Sequence, residues 1–152
     1  MSDTIYSFFN GEIVPLADAK ISILTHAFNY GTACFEGIRG YWNAEDEQVY
    51  LFRLREHFER LQGSTKILGI KLPYSVDELC TITRDLVRKN GFREDIYLRP
   101  TVYISAEVIG VKLHELPVSF CMYSLPFGSY IDTEKGLSVG VSSWKRIDDN
   151  MI

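Results

Sequence analysis

The sequence predicts an α+β fold, a mainly antiparallel sheet with two helices on one side. Three observations point there. Short apolar-rich runs are separated by tight-turn residues, two segments carry an apolar stripe at helical spacing, and one long run alternates between its two faces.

The chain opens with Tyr6-Ser7-Phe8-Phe9, then Asn10-Gly11, then Glu12-Ile13-Val14-Pro15. Asn-Gly between such runs signals a hairpin, because both turn residues must accept positive φ. Ala17 to Tyr30 has no clean period and reads as loop with a short strand or helical turn. Ala33 to Tyr41 reads as one strand, with Phe35, Gly37, Arg39 and Tyr41 on one face. Asn43 to Glu47 is a polar turn, and Gln48 to Arg53 returns as its partner strand.

A helix follows from Arg55 to Leu68, with Phe58, Leu61, Thr65 and Leu68 as its stripe. His57, Arg60 and Ser64 share its shoulder. The next helix is better marked: Ser75 and Glu78 form a capping box, Arg88 and Lys89 suit the negative end, and Gly91 stops it. Leu79, Ile82, Thr83 and Leu86 face inward. In the strand from Ile96 to Ile104, Ile96, Leu98, Val102 and Ile104 oppose Tyr97, Arg99, Thr101 and Tyr103. Pro100 cannot donate to a ladder, which predicts an edge or bulged position. Pro117 to Leu125 and Leu137 to Trp144 read as the last two strands, joined through a turn at Pro126 to Ser129.

A chain of 152 residues, 46% hydrophobic and 13% aromatic, suffices for one domain with a real core. Nine Tyr and nine Phe argue for an aromatic core or an aromatic-lined pocket. The net charge of -4 argues against nucleic acid as a partner. No apolar run approaches the roughly 20 residues that span a bilayer, and Met1 to Thr4 lacks a signal core. Cys34, Cys80 and Cys121 are odd in number and widely spaced, which predicts reduced thiols in a cytoplasmic protein. His26, His57 and His114 are too dispersed for a zinc motif, and no phosphate loop, dinucleotide fingerprint or serine elbow occurs. The residues alone give a globular α+β domain whose pocket wall is aromatic and bears arginine.

A resemblance carries the reading further. Tyr30-Gly31-Thr32-Ala33-Cys34-Phe35-Glu36-Gly37-Ile38-Arg39-Gly40-Tyr41 resembles the signature of the branched-chain aminotransferases, pyridoxal-phosphate enzymes of the class IV fold. Phe9-Asn10-Gly11-Glu12, Arg55 to Leu61, Tyr97-Leu98-Arg99-Pro100, Gly128-Ser129-Tyr130 and Ser142-Ser143-Trp144 resemble further landmarks of that family, in order. The resemblance implies transfer of an amino group from leucine, isoleucine or valine to 2-oxoglutarate, with pyridoxal 5'-phosphate as cofactor.

It also implies roles for single residues. Arg60 would bind the cofactor's phosphate, a match for a forked guanidinium; on spacing alone it would pair with Glu56 or Glu59. Phe35, Tyr30, Tyr97 and Tyr130 would line the substrate pocket, and Arg99 would meet the γ-carboxylate of glutamate or 2-oxoglutarate. Arg39 would help shape the same wall. The loop from Ala106 to Val111 resembles one that reaches a neighbouring subunit, implying a homodimer or higher assembly. Residues 1–144 would form the smaller N-terminal domain and residues 145–152 the start of a linker. The catalytic lysine would lie beyond Ile152, in a cofactor domain that this chain does not contain, so the chain reads as truncated and inactive alone. Within the same fold, a D-amino acid transaminase or an aminodeoxychorismate lyase is the alternative; outside it, a non-catalytic fragment.

Overall fold

The computed structural model describes residues 4–128 and 135–146. Asn10 and Gly11 take φ of 51° and 89°, turning β1 (Tyr6–Phe9) back into β2 (Glu12–Pro15), as the Asn-Gly signal requires. A 3-10 turn at Leu16–Asp18 and a short helix α1 (His26–Tyr30) occupy the stretch without a period. The strand expected over Ala33 to Tyr41 is broken in two, β3 (Ala33–Phe35) and β4 (Ile38–Asn43). β5 (Gln48–Leu51) closes the second hairpin and stops short of Arg53, whose φ of 45° starts the next helix.

Helix α2 (Leu54–Ile67) buries Leu54, Phe58, Leu61 and Thr65. The apolar spacing puts Leu68 on that stripe, but it lies past the last helical turn and is partly exposed. Helix α3 (Val76–Asn90) carries the capping box in full. The Ser75 backbone N–H donates to Glu78 at 2.7 Å, Glu78 N–H donates to the Ser75 hydroxyl at 3.3 Å, and Gly91 ends the helix at φ 61°. Strands β6 (Ile96–Ile104) and β7 (Val118–Pro126) complete the sheet.

The described strands form one antiparallel sheet in the order β2-β1-β7-β6-β4-β5, with β3 also pairing β6. Pro100 predicts an edge or a bulge, yet β6 is central. The reason is visible in the register. β3 and β4 pair β6 in a single continuous register, Phe35 opposite Thr101 and Ile38 opposite Leu98. Glu36 N–H donates to the Pro100 carbonyl at 3.0 Å, and Pro100 has no N–H to return. The missing donor falls in the gap between β3 and β4, so a central strand accommodates the proline.

Helices α2 and α3 cover one face of the sheet. Phe58, Leu61, Leu79 and Leu86 pack there with Ile38, Ile96, Leu98, Val102 and Met122. Each such side chain contributes on the order of 1.5–3 kcal/mol by leaving water. Asn90, at the end of α3, ties that layer to the hairpin: it accepts from Tyr6 N–H at 2.7 Å and donates to the Tyr6 carbonyl and the Ser124 hydroxyl. The expected strand at Leu137 to Trp144 is not formed. Among the described residues it has no ladder partner, and Leu137, Val139, Val141 and Trp144 are all exposed, so nothing selects a pleated conformation. Among the described residues, no helix is long and apolar enough to cross a membrane.

Candidate active site

Strict alternation sends neighbouring residues to opposite faces, and burial follows it from Cys34 to Tyr41. Cys34, Glu36, Ile38 and Gly40 are buried against the helices, while Phe35, Gly37 and Tyr41 are exposed on the uncovered face. β6 does the same: Tyr97, Arg99 and Thr101 are half-buried on the uncovered face, and Leu98 and Val102 are in the core.

Phe35, Tyr97 and Arg99 form one cluster on that uncovered face. Arg99 donates its Nε–H to the Tyr97 hydroxyl oxygen at 2.9 Å. Its guanidinium carbon stands 4.2 Å from the centre of the Phe35 ring, a cation–π stack. With Nε engaged and no acceptor among the described residues on its Nη1–Nη2 fork, Arg99 can receive a carboxylate, and Tyr97 keeps its own hydrogen to donate. Phe127 extends the wall, its ring centre 5.2 Å from that of Tyr97. Arg39 lies over Phe127 at 5.1 Å and pairs with Asp95 at 3.6 Å, so it holds the wall's outer end.

Arg60 belongs to the helix side of the same strand. It pairs with neither Glu56 nor Glu59. Its Nε and Nη2 each donate at 2.6 Å to the two oxygens of Glu36, while Glu56 is engaged by Arg53 at 3.0 Å. Chain parity explains the choice. Glu36 falls on the core face between Cys34 and Ile38, and a buried carboxylate requires a cation. Helix α2 supplies Arg60 and, one turn earlier, His57, whose Nδ1 lies 3.0 Å from Glu36 Oε2.

Burial alone would push the Glu36 carboxyl up. The hydrogen bonds and charges of Arg60 and His57 outweigh it and hold the carboxyl below the ordinary carboxylate range. Glu36 is therefore an ionised acceptor, which puts the hydrogen of His57 on Nδ1. The 3.3 Å approach of Arg60 Nη2 to that same nitrogen then joins two donors and is proximity only. Arg60 uses Nε and Nη2 here, leaving Nη1 for a further acceptor. Phe52, Arg53, Glu56, His57 and Arg60 line an open cleft of about 380 Å³.

Tyr30 lies elsewhere, and no ring contact joins it to Phe35 or Tyr97 among the described residues. Its hydroxyl accepts from Gly110 N–H at 3.1 Å, and its ring packs on His26. His26 is fully buried; its Nε2 donates to the Gly110 carbonyl at 2.9 Å, and its Nδ1 meets the Thr32 hydroxyl. The loop from Ala106 to Val111 is thus bolted to α1, yet it leaves Val108, Ile109 and Val111 at 45%, 69% and 89% exposed. Tyr130 lies outside the described residues. A larger cleft of about 490 Å³, lined by Trp42, Arg84 and Arg93 among others, sits along β5, remote in the sheet order from β6's partner β7, and pairs Arg93 with Glu47.

Sequence reasoning singled out neither Glu36 as the partner of Arg60 nor Asp95 as the partner of Arg39. The sequence does hold a signal for Glu36: a carboxylate in an alternating strand, in phase with its buried neighbours.

Known proteins share this fold. A family model described as amino-transferase class IV matches residues 33–151. A probable branched-chain-amino-acid aminotransferase of Aquifex aeolicus (strain VF5) is 48% identical over 147 residues, which cover 97% of this chain and 47% of the relative. The crystal structure of the branched-chain aminotransferase of Thermoproteus uzoniensis with norvaline superposes with a TM-score of 0.91 at 41% identity, over 98% of this chain and 49% of that one. The branched-chain amino acid aminotransferase of Thermobaculum terrenum in its PLP form has a TM-score of 0.82 at 34% identity, over 98% of this chain and 48% of that one. The chain spans about half the length of the curated relatives it matches.

Proposed function

The chain belongs to the class IV amino-transferase family, and on that premise we propose that it forms the substrate wall and part of the cofactor seat of a branched-chain amino acid aminotransferase. The observation that carries the reading is the cluster of Phe35, Tyr97 and Arg99, an aromatic surface with one guanidinium fork left open. Aromatic rings receive aliphatic side chains by burial alone. The Arg99 fork receives a second carboxylate, which lets one pocket take both leucine-like substrates and glutamate or 2-oxoglutarate.

The donor set of α2 suits pyridoxal 5'-phosphate. Arg60 would hold the phosphate through its remaining nitrogen, with His57 and Arg53 lining the same cleft. When bound, this cofactor supplies an electron sink that loosens the bonds at the substrate's Cα. Tyr97 donates its hydroxyl hydrogen to the substrate carboxylate, and Phe35 keeps water from the side chain. The exposed apolar residues of the Ala106–Val111 loop, together with exposed Ile23 and Phe28, support self-association as a homodimer or larger assembly. The three unpaired cysteines support a cytoplasmic setting.

The test uses the whole protein with leucine, D-alanine and aminodeoxychorismate as alternative substrates. Turnover of leucine with 2-oxoglutarate is expected, and a preference for either of the others would overturn the reading. Arg99→Leu should lower kcat/KM for 2-oxoglutarate roughly 10- to 100-fold more than for the leucine half-reaction, the loss of a charged hydrogen bond. Sedimentation of the whole protein as an active monomer would overturn the assembly.

A further inference from the structure

Glu36 is the one buried carboxylate among the described residues, and both its oxygens are engaged. Oε1 accepts from Arg60 Nε, and Oε2 accepts from Arg60 Nη2 and His57 Nδ1. The guanidinium so held belongs to a side chain that is 66% exposed. A long exposed side chain on a helix otherwise spreads over many rotamers. Glu59, beside it on the same helix, takes no part in the pairing, so among the described residues Glu36 is the acceptor that fixes where the Arg60 fork points.

We propose that Glu36 is a positioning residue: it clamps one edge of Arg60 so that the opposite edge is presented to the phosphate of the cofactor. The proposal rests on the reading of Arg60 given above. Two effects oppose each other here. The carboxylate repels a phosphate dianion, and the clamp removes the freedom that Arg60 would otherwise lose on binding. Contact geometry decides for the clamp. Arg60 neutralises Glu36 at hydrogen-bond distance, so a phosphate on the far edge meets the field of a close ion pair, which falls off faster than that of a bare charge. The bidentate bond meanwhile fixes the guanidinium plane as well as its position.

The test titrates the apo form of the full-length enzyme with pyridoxal 5'-phosphate and with pyridoxal, which lacks the phosphate, following protein fluorescence. The ratio of the two affinities isolates what the phosphate contributes. Glu36→Gln is expected to lower that ratio about 10- to 100-fold, taking as a guide the loss seen when the outer partner that orients a metal ligand is removed, with pyridoxal affinity unchanged. Glu36→Asp, which keeps the charge and shortens the reach, should fall between, and it serves if the glutamine variant does not fold. In the Arg60→Ala background, Glu36→Gln should cost nothing further. A ratio that holds or rises in Glu36→Gln, or an equal loss of both ligands, overturns the positioning role while leaving Arg60 as the phosphate ligand. An unchanged ratio in Arg60→Ala overturns the assignment of Arg60 and this proposal with it.

Discussion

Gly37 and the Tyr97 ring compete for one volume: a Cβ on residue 37 would lie 2.7 Å from the Tyr97 hydroxyl oxygen and 3.2 Å from its ring. The ring cannot simply step aside, because Arg99 holds its hydroxyl and Phe127 packs on its face. Gly37→Ala should therefore tilt Tyr97 and displace Arg99. Its backbone needs no positive φ, so the stability cost should stay near about 1 kcal/mol, while KM for substrates rises. Equal KM values in the two proteins would show that Tyr97 does not touch substrate.

Gly40 makes the opposite case. A Cβ there would meet Ile96 Cγ1 and Val49 Cγ1 at 2.7 Å each, between branched core side chains. Gly40→Ala should cost about 1–3 kcal/mol by overpacking, read as a lower urea midpoint at constant m-value. An unchanged midpoint would mean that this edge of the core is loose.

The carboxyl of Glu36 sits below its ordinary value in the folded chain, and so the unfolded chain binds its proton more tightly. The group accordingly stabilises the fold above the ordinary carboxylate pKa, about 4.3, and this contribution disappears as pH falls through the depressed native value. The stability gap between wild type and Glu36→Gln should be widest near neutrality and close in acid. Urea midpoints measured for both proteins across that range check the sign; a gap that widens in acid contradicts it.

Burial pushes the Cys121 thiol up to about 11 and raises Cys34 and Cys80 as well. Since the thiolate is the reactive form, native Cys121 should react with a disulfide reagent at mildly alkaline pH on the order of a hundredfold more slowly than a free thiol. Urea should restore the full rate. Rapid native labelling at Cys121, located by peptide mass, would place that side chain in a different environment.

Local chemistry made much of this molecule legible in sequence. Asn10-Gly11 and the Ser75–Glu78 box are short-range devices, and each formed as its residues dictate. Alternation in Cys34 to Tyr41 and Ile96 to Ile104 placed Phe35, Tyr97 and Arg99 on a common face. What stayed hidden depends on partners distant in the chain. Arg60 passes over Glu56 and Glu59 for Glu36 because burial makes that carboxylate the needier one. Pro100 looks like an edge residue until β3 and β4 leave a gap for its missing hydrogen. Leu137 to Trp144 has a strand's composition, and composition supplies no ladder.

Phe35 and Glu36 are adjacent, yet one faces the aromatic wall and the other the helix layer. A change of length here acts unlike a change of side chain. Deleting one residue between Ala33 and Ile38 would exchange the two orientations, offering Arg60 a hydrocarbon ring and Arg99 an acid. The spacing of this segment is a ruler that locks two recognition tasks together.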